Sequence, residues 1–290
     1  MSYFYQYFAN ISIRYKLKTF YKIFYNIFKF FLKKKIILNF VKYKFIAYPQ
    51  KKELSRWMIR NLKIWDESMI YLIIKNIKEN NSIFIDIGCN YGAYSIPISK
   101  IKNKIDVYCF DPSKKSLDKL VENIKLNKIQ NIKYFKIGIG EKEKYSFFDD
   151  NLKNYKNSGS YQINDDKRGT RIQINSIDNL IKKKIIYPKK KIFIKMDIEG
   201  YEFFALQGLI KTINKFNVMI FFEFSKKILE NHENLETKMS KFIKDNNLII
   251  YNSNFVEQKL EKLFSDIKKL KKDHEVLDNF ILVNDNNSNY

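Results

Sequence analysis

At 290 residues and 35.0 kDa the chain can bury a full hydrophobic core, and it fits one domain with an appendage better than two full domains. Hydrophobic residues at 45% and aromatics at 16% exclude general disorder and leave it for the ends. A formal net charge of +23 raises the possibility of a nucleic-acid or membrane partner. However, Lys, Asn, Ile, Phe and Tyr are abundant throughout, and most lysines stand singly between apolar residues, so the charge reads first as solvated faces.

Residues 1–50 form a basic extension. Between Thr19 and Lys35, the residues Phe20, Ile23, Phe24, Ile27, Phe28 and Phe31 recur at helical spacing, while Lys22, Asn26, Lys29 and Lys33 fall off that face. This predicts an amphipathic helix. It either lies on an anionic membrane surface or packs against protein, because an apolar stripe does not say which partner covers it. Lysines interrupt every apolar stretch before it reaches the roughly 18 residues of a spanning helix. The N-terminus lacks an uninterrupted apolar run followed by a small-residue cleavage site, so no secretory signal is expected. Two cysteines, Cys89 and Cys109, make neither a disulfide framework nor a zinc site, and no other metal site is expected. They suit a reducing compartment, so a cytoplasmic location is expected, with peripheral membrane contact through residues 19–35 as an option.

From residue 51 to 284 helices and short apolar strands alternate, with 285–290 as a tail. A helix near Ser68–Glu79 leads into a strand at Ser82–Ile87. A second strand at Ile105–Phe110 precedes a helix at Ser113–Asn127 and a strand at Ile132–Ile137. Beyond a looser section holding Asn157, Ser158 and Gly159 come a half-exposed strand at Arg171–Asn175 and two buried strands, Ile192–Asp197 and Val218–Glu223. A helix from Glu199 to Ile213 is expected between them. A helix at Leu235–Asn246, a strand at Leu248–Tyr251, a charged helix near Val256–Lys272 and a strand at Asp278–Val283 complete the domain. This alternation implies a doubly wound, mostly parallel α/β sheet covered on both faces.

In such a sheet ligands bind beyond the carboxyl ends of strands, where the strand order reverses. The run DIGCNYG, Asp86 to Gly92, directly follows the first strong strand. Gly88 and Gly92 permit a tight turn and a close backbone approach. A helix beginning near Gly92 would offer free N–H groups to a carboxylate. Asp86 can hold the loop or receive an ammonium group. Asp111 ends the next strand, where an acid accepts hydrogen bonds from ribose hydroxyls. Together with Asn90, these residues predict a nucleoside-bearing cofactor. The DxGxNxG pattern points toward S-adenosyl-L-methionine rather than a nicotinamide dinucleotide.

With FIDIGCNYGAYS, VYCFDPSKKSLDKLVENIKLN and IFIKMDIEGYEFFALQGL in place, the chain resembles the FkbM methyltransferases, a branch of the class I methyltransferase fold, over roughly residues 52–283. Cys89, Asp111 and Tyr201 depart from the family's usual Ala, Glu and Ala. The resemblance implies O-methylation, commonly of a sugar hydroxyl in a surface glycan or of a secondary metabolite. A nucleic-acid methyltransferase, favoured only by charge, and a membrane-attached binding protein with a vestigial cofactor site are the alternatives.

Methyl transfer to a hydroxyl needs a positioned nucleophile and help in losing its proton. Asp197, at the end of a central strand, and Glu199, two residues on, are the expected catalytic acids, with Lys195 placed to neutralise or orient one of them. Glu202 reads as an ordinary acid at a helix start. His232 and His274 each stand alone in polar sequence and read as surface residues, with His232 a reserve base.

Overall fold

The computed structural model describes residues 35–48, 54–149, 162–164, 169–198, 200–225, 234–270 and 276–284. Two short strands come first, β1 (Ile36–Asn39) and β2 (Lys44–Ala47), followed by helices α1 (Leu54–Asn61) and α2 (Glu67–Asn76). The alternating domain begins with β3 (Ser82–Ile87), α3 (Ser95–Ile101), β4 (Asp106–Phe110), α4 (Lys114–Asn127) and β5 (Ile132–Phe135). Four strands then form an outlying group: β6 (Gly138–Ile139), β7 (Lys144–Asp149), β8 (Gln162–Asn164) and β9 (Thr170–Asn175). Next come α5 (Ile177–Lys182), β10 (Lys191–Met196), α6 (Glu202–Gln207), α7 (Ile210–Lys215) and β11 (Asn217–Ser225). The described chain closes with α8 (Leu235–Asp245), β12 (Leu248–Asn252), α9 (Leu260–Lys268) and β13 (Val276–Asn284).

The central sheet has seven strands in the order β12-β13-β11-β10-β3-β4-β5. Strands β11, β10, β3, β4 and β5 pair in parallel, and β13 runs antiparallel between β11 and β12. Successive strand residues alternate between faces, and both faces are apolar. Phe84, Val107, Phe193 and Phe221 pack on one side with Ile73, Ile96 and Leu120 of the helices α2, α3 and α4. Ile85, Tyr108, Ile194 and Ile220 pack on the other with Leu206, Met239 and Phe264. Burial on both faces explains why these strands read as continuous apolar runs. The order reverses between β3 and β10, so the crevice outside their carboxyl ends is the expected ligand site.

Three expectations change. The first 50 residues are not helical throughout: β1 and β2 form an antiparallel hairpin, with Ile36 opposite Ala47 and Asn39 opposite Lys44. Ile36, Leu38 and Phe45 of this hairpin belong to the same core as α4, so the boundary at residue 50 cuts a packed unit. The amphipathic stripe at 19–31 lies outside the described residues, as do Asn157, Ser158, Gly159, His232 and His274. The helix expected from Glu199 to Ile213 starts at Glu202 and divides into α6 and α7. Asp178 supplies the physical reason, since its carboxylate accepts the N–H of Lys211 and of Thr212, each at 2.9 Å, and starts a new helix there. Finally, the strand at 170–175 belongs to a separate four-stranded sheet of order β6-β9-β7-β8. No helix among the described residues is long and apolar enough to cross a membrane.

Candidate active site

The loop after β3 is held by backbone and side-chain acceptors from its neighbours. The N–H groups of Gly88 and Cys89 donate to the Phe110 carbonyl at 2.9 and 3.2 Å, and Gly92 N–H donates to Cys89 O at 2.8 Å. Asn90 N–H donates to Asp111 Oδ2 at 3.0 Å. The N–H groups of Gly88, Cys89, Asn90 and Gly92 are therefore committed to protein acceptors, and α3 begins at Ser95 rather than near Gly92. Gly88, Asn90 and Gly92 all have positive φ, at +79°, +49° and +86°. The demand is strictest at Gly88, where a Cβ would lie 2.0 Å from the carbonyl oxygen of Asp197. The loop and the end of β10 thus touch at the point where the strand order reverses.

Asp86 is buried on β3, and its Oδ2 accepts a hydrogen bond from Ser95 Oγ at the start of α3. Burial pushes its carboxyl up to about 6, against the opposing pull of the Ser95 hydroxyl and the Lys195 charge. Asp111 is also buried, and its Oδ1 accepts Ser113 N–H at 2.8 Å while Oδ2 takes Asn90. Burial raises its carboxyl to about 7 even though both hydrogen bonds favour the charged form. Each Asp111 oxygen keeps a second lone pair for a ligand donor. Asn90 Oδ1 is buried and has no donor among the described residues. The crevice is therefore rich in acceptors and suits a ligand bringing ammonium and hydroxyl donors.

Lys195 lies opposite Asp86 in the β10–β3 register, with its side chain 1% exposed. Its ammonium stands 3.6 Å from Glu223 Oε1 at the end of β11 and 5.2 Å from the centre of the Tyr94 ring. Burial opposes the charge on Lys195, but Glu223, Asp197, Asp66 and Asp86 together hold it protonated, above the usual lysine range. Sequence spacing places Lys195 to neutralise or orient one of the following acids; its ion pair is with Glu223, and the Asp197 charge also favours its protonated form. Burial raises the Glu223 carboxyl, and the Lys195 charge pulls against that rise. Nearby, Tyr94 Oη donates to Asp66 Oδ2, and Asn279 Nδ2 donates to the same oxygen at 3.1 Å.

Asp197 sits half-buried beyond β10, anchored by its N–H to Ile87 O at 3.0 Å. Glu199 lies outside the described residues. Glu202 is not an exposed helix-start acid. It is buried, and its two carboxylate oxygens accept the N–H groups of Ile198 and Gly200 at 3.0 and 2.9 Å. It therefore shapes the loop carrying Asp197, and burial lifts its own carboxyl to about 7. The structure brings Asp86, Gly88, Asn90, Gly92, Asp111, Lys195 and Asp197 to one edge of the sheet. Sequence reasoning missed Ser95, Tyr94, Asp66 and Asn123 as parts of this edge. Only Asn123 left a signal, as a polar residue recurring with Leu117 and Leu120 on the apolar face of α4. Among the described residues no cluster of His, Cys, Asp and Glu is arranged to hold a metal ion.

A family model described as a methyltransferase FkbM domain matches residues 86–250. No curated protein sequence matches the chain. Among solved structures, TYW2 of M. jannaschii in complex with AdoMet is similar over 87% of this chain and 86% of its own, at 14% identity and a TM-score of 0.43. A methyltransferase FkbM from Methylobacillus flagellatus KT is similar over 78% of this chain at 16% identity and a TM-score of 0.44, and the match spans 52% of that chain.

Proposed function

Because the chain belongs to the FkbM family of S-adenosylmethionine-dependent methyltransferases, we propose that it methylates a hydroxyl oxygen, with a sugar of a glycan or a secondary metabolite as the acceptor class. The observation that carries this reading is the state of the acids at the sheet edge. Asp86, Asp111, Glu202 and Asp66 are each committed to protein donors. Asp197, just past the end of β10, accepts no hydrogen bond from a backbone N–H or a hydroxyl among the described residues, whereas Glu223 on the adjacent strand is paired with Lys195. A hydroxyl is a poor nucleophile while protonated, and an adjacent carboxylate is the group that relieves it.

S-adenosylmethionine supplies an electrophilic methyl group on a sulfonium sulfur. Asp86 would receive its ammonium, Asp111 its ribose hydroxyls, and Asn90 Oδ1 a remaining donor, and Gly88 and Gly92 would keep the approach open. This fits the buried acceptor on Asn90 that lacks a donor among the described residues. Asp197, with Glu199 two residues on in sequence, would take the acceptor proton, and Lys195 would keep a carboxylate at this edge ionised. The apolar stripe at 19–35 would bring the enzyme to an anionic membrane face. That part rests on helical spacing and the flanking lysines alone.

The test is methyl transfer from labelled S-adenosylmethionine to panels of glycans, lipids and RNA, with the product linkage identified. Methyl ethers on sugar hydroxyls, with turnover reduced by Asp197→Asn and Glu199→Gln in folded protein, are expected. Methylation confined to RNA, or turnover unchanged in both variants, would overturn the reading.

A further inference from the structure

The N-terminal hairpin lies outside the stretch that matches the family, yet it shares one side chain with the loop after β3. Asn123 of α4 is fully buried. Its Oδ1 accepts the N–H of Ile46 in β2 at 2.7 Å, and its Nδ2 donates to the carbonyl of Tyr91 at 3.1 Å. A single amide therefore spans hairpin and loop with its acceptor and one donor satisfied. One turn further along α4, Asn127 grips the hairpin again. Its Oδ1 accepts Lys44 N–H and its Nδ2 donates to Lys44 O, both at 2.7 Å, while the same Nδ2 donates to Asn123 O at 2.8 Å.

Aromatic packing follows the same path. Tyr48, just past β2, meets the Tyr91 ring edge-on at 5.9 Å. Lys119 of α4 stands 3.7 Å from the centre of the Tyr91 ring and 4.8 Å from that of Tyr48, and it donates to the Tyr91 hydroxyl. Tyr48 Oη in turn donates to Glu122 Oε2 at 3.1 Å. Tyr91 lies between two left-handed residues, Asn90 and Gly92. Asn tolerates that conformation better than other non-glycine residues, and it persists at Asn90 because the surroundings hold it there. Asp111 imposes it from one side, through the Asn90 N–H, and Asn123 from the other, through the Tyr91 carbonyl.

We infer that the hairpin of residues 36–47 is a positioning element of the cofactor loop, acting on it through Asn123 and the Tyr48–Tyr91 contact. The inference rests on the reading of residues 86–92 as the cofactor loop. It makes the hairpin a determinant of cofactor affinity rather than a detachable leader.

The experiment uses the full chain and S-adenosylhomocysteine as the probe. Ile46→Pro removes the N–H that Asn123 accepts. Tyr48→Ala removes the ring contact, and Asn123→Leu removes both amide bonds. Affinity by calorimetry, well below each melting point, should weaken about five- to tenfold per variant, the scale of one lost hydrogen bond or aromatic contact. Amide exchange at residues 90–92 should quicken in Ile46→Pro and Tyr48→Ala, neither of which alters the loop sequence. The Michaelis constant for S-adenosylmethionine should rise with little change in kcat. Lower melting points with wild-type affinity and wild-type exchange at 90–92 would overturn the inference and leave the hairpin a purely structural support. A folded wild type that binds no S-adenosylhomocysteine would overturn the cofactor-loop reading and this inference with it.

Discussion

Replacing Gly88 by alanine tests the contact between the loop and the end of β10. Two separate costs arise. The backbone at Gly88 has φ +79°, which costs an L-residue about 1–2 kcal/mol. The added Cβ would also sit 2.0 Å from Asp197 O and 2.9 Å from Asp197 C. Those are backbone atoms of a central strand end, so they yield only if β10 and the loop separate, and overpacking of this kind costs about 1–3 kcal/mol. Gly88→Ala should therefore lose roughly 2–5 kcal/mol in chemical denaturation, about 10 °C in melting temperature for a domain of this size. Gly92→Ala is the matched comparison. Its φ is also positive, at +86°, but its Cβ would meet side-chain rather than backbone atoms, Leu120 Cδ1 at 2.5 Å and Ile96 Cγ1 at 3.0 Å. Its loss should stay near 1–2 kcal/mol. Calorimetry with S-adenosylhomocysteine should rank the two variants in the same order. If Gly88→Ala melts and binds like wild type, or Gly92→Ala is the more damaged of the two, the argument from the Asp197 contact fails.

The buried carboxylates set a pH dependence. Asp86 at about 6, and Asp111 and Glu202 at about 7, all lie above their unfolded values. The folded state thus holds extra protons between pH 4 and 7, and their stabilisation is complete below about pH 4 and lost as pH rises through 6 to 7. Asp86→Asn keeps an acceptor for Ser95 and should flatten the Asp86 share, at most about 3 kcal/mol, in denaturation curves taken across that range; an unchanged slope would refute its assignment. Conversely, if Asp86 receives the cofactor ammonium, wild-type affinity for S-adenosylhomocysteine should tighten as pH rises through 6 and the Asp86→Asn variant should lose that trend. Lys195→Met strips the buried cation from Glu223 and its neighbours and should cost roughly 3–5 kcal/mol. It should also move the acid limb of the pH–rate profile to higher pH. A variant with wild-type melting and an unmoved profile would show that the ion pair is dispensable.

Much of the sheet was legible because parallel strands buried on both faces leave unbroken apolar text. Ser82–Ile87 coincides with its strand, and Ile192–Asp197 misses Lys191–Met196 by one residue at each end. The break between α6 and α7 was barely legible, because the residue that starts the second helix lies outside 199–213. It comes from Asp178, which lies 33 residues before Lys211 in sequence and caps the new helix. Gly208 gave only an ambiguous hint, since its packing against Gly140 O, where a Cβ would sit 2.1 Å away, is a tertiary contact. The same holds for Lys195. Local spacing suggested an acid two or four residues on, whereas strand register places its charge beside Glu223 on the neighbouring strand.

The hairpin shows a different kind of illegibility. Ile36 and Leu38 face the core while Ile37 and Asn39 face out, so period-two alternation was present in the text. It was short, flanked by lysines, and adjoined a stronger helical stripe at 19–31. A two-stranded ribbon of four residues per strand has too little apolar surface to stand alone in water. Its stability must come from what it docks on, and the docking partners are Asn123 and Asn127, some 80 residues away in sequence. The decisive signal was therefore on α4, where two asparagines interrupt an otherwise apolar face. Polar side chains in such positions are tolerated when something supplies their hydrogen bonds. Here the hairpin supplies one set and the loop after β3 the other, and so a boundary drawn by composition at residue 50 separates parts that share a buried amide.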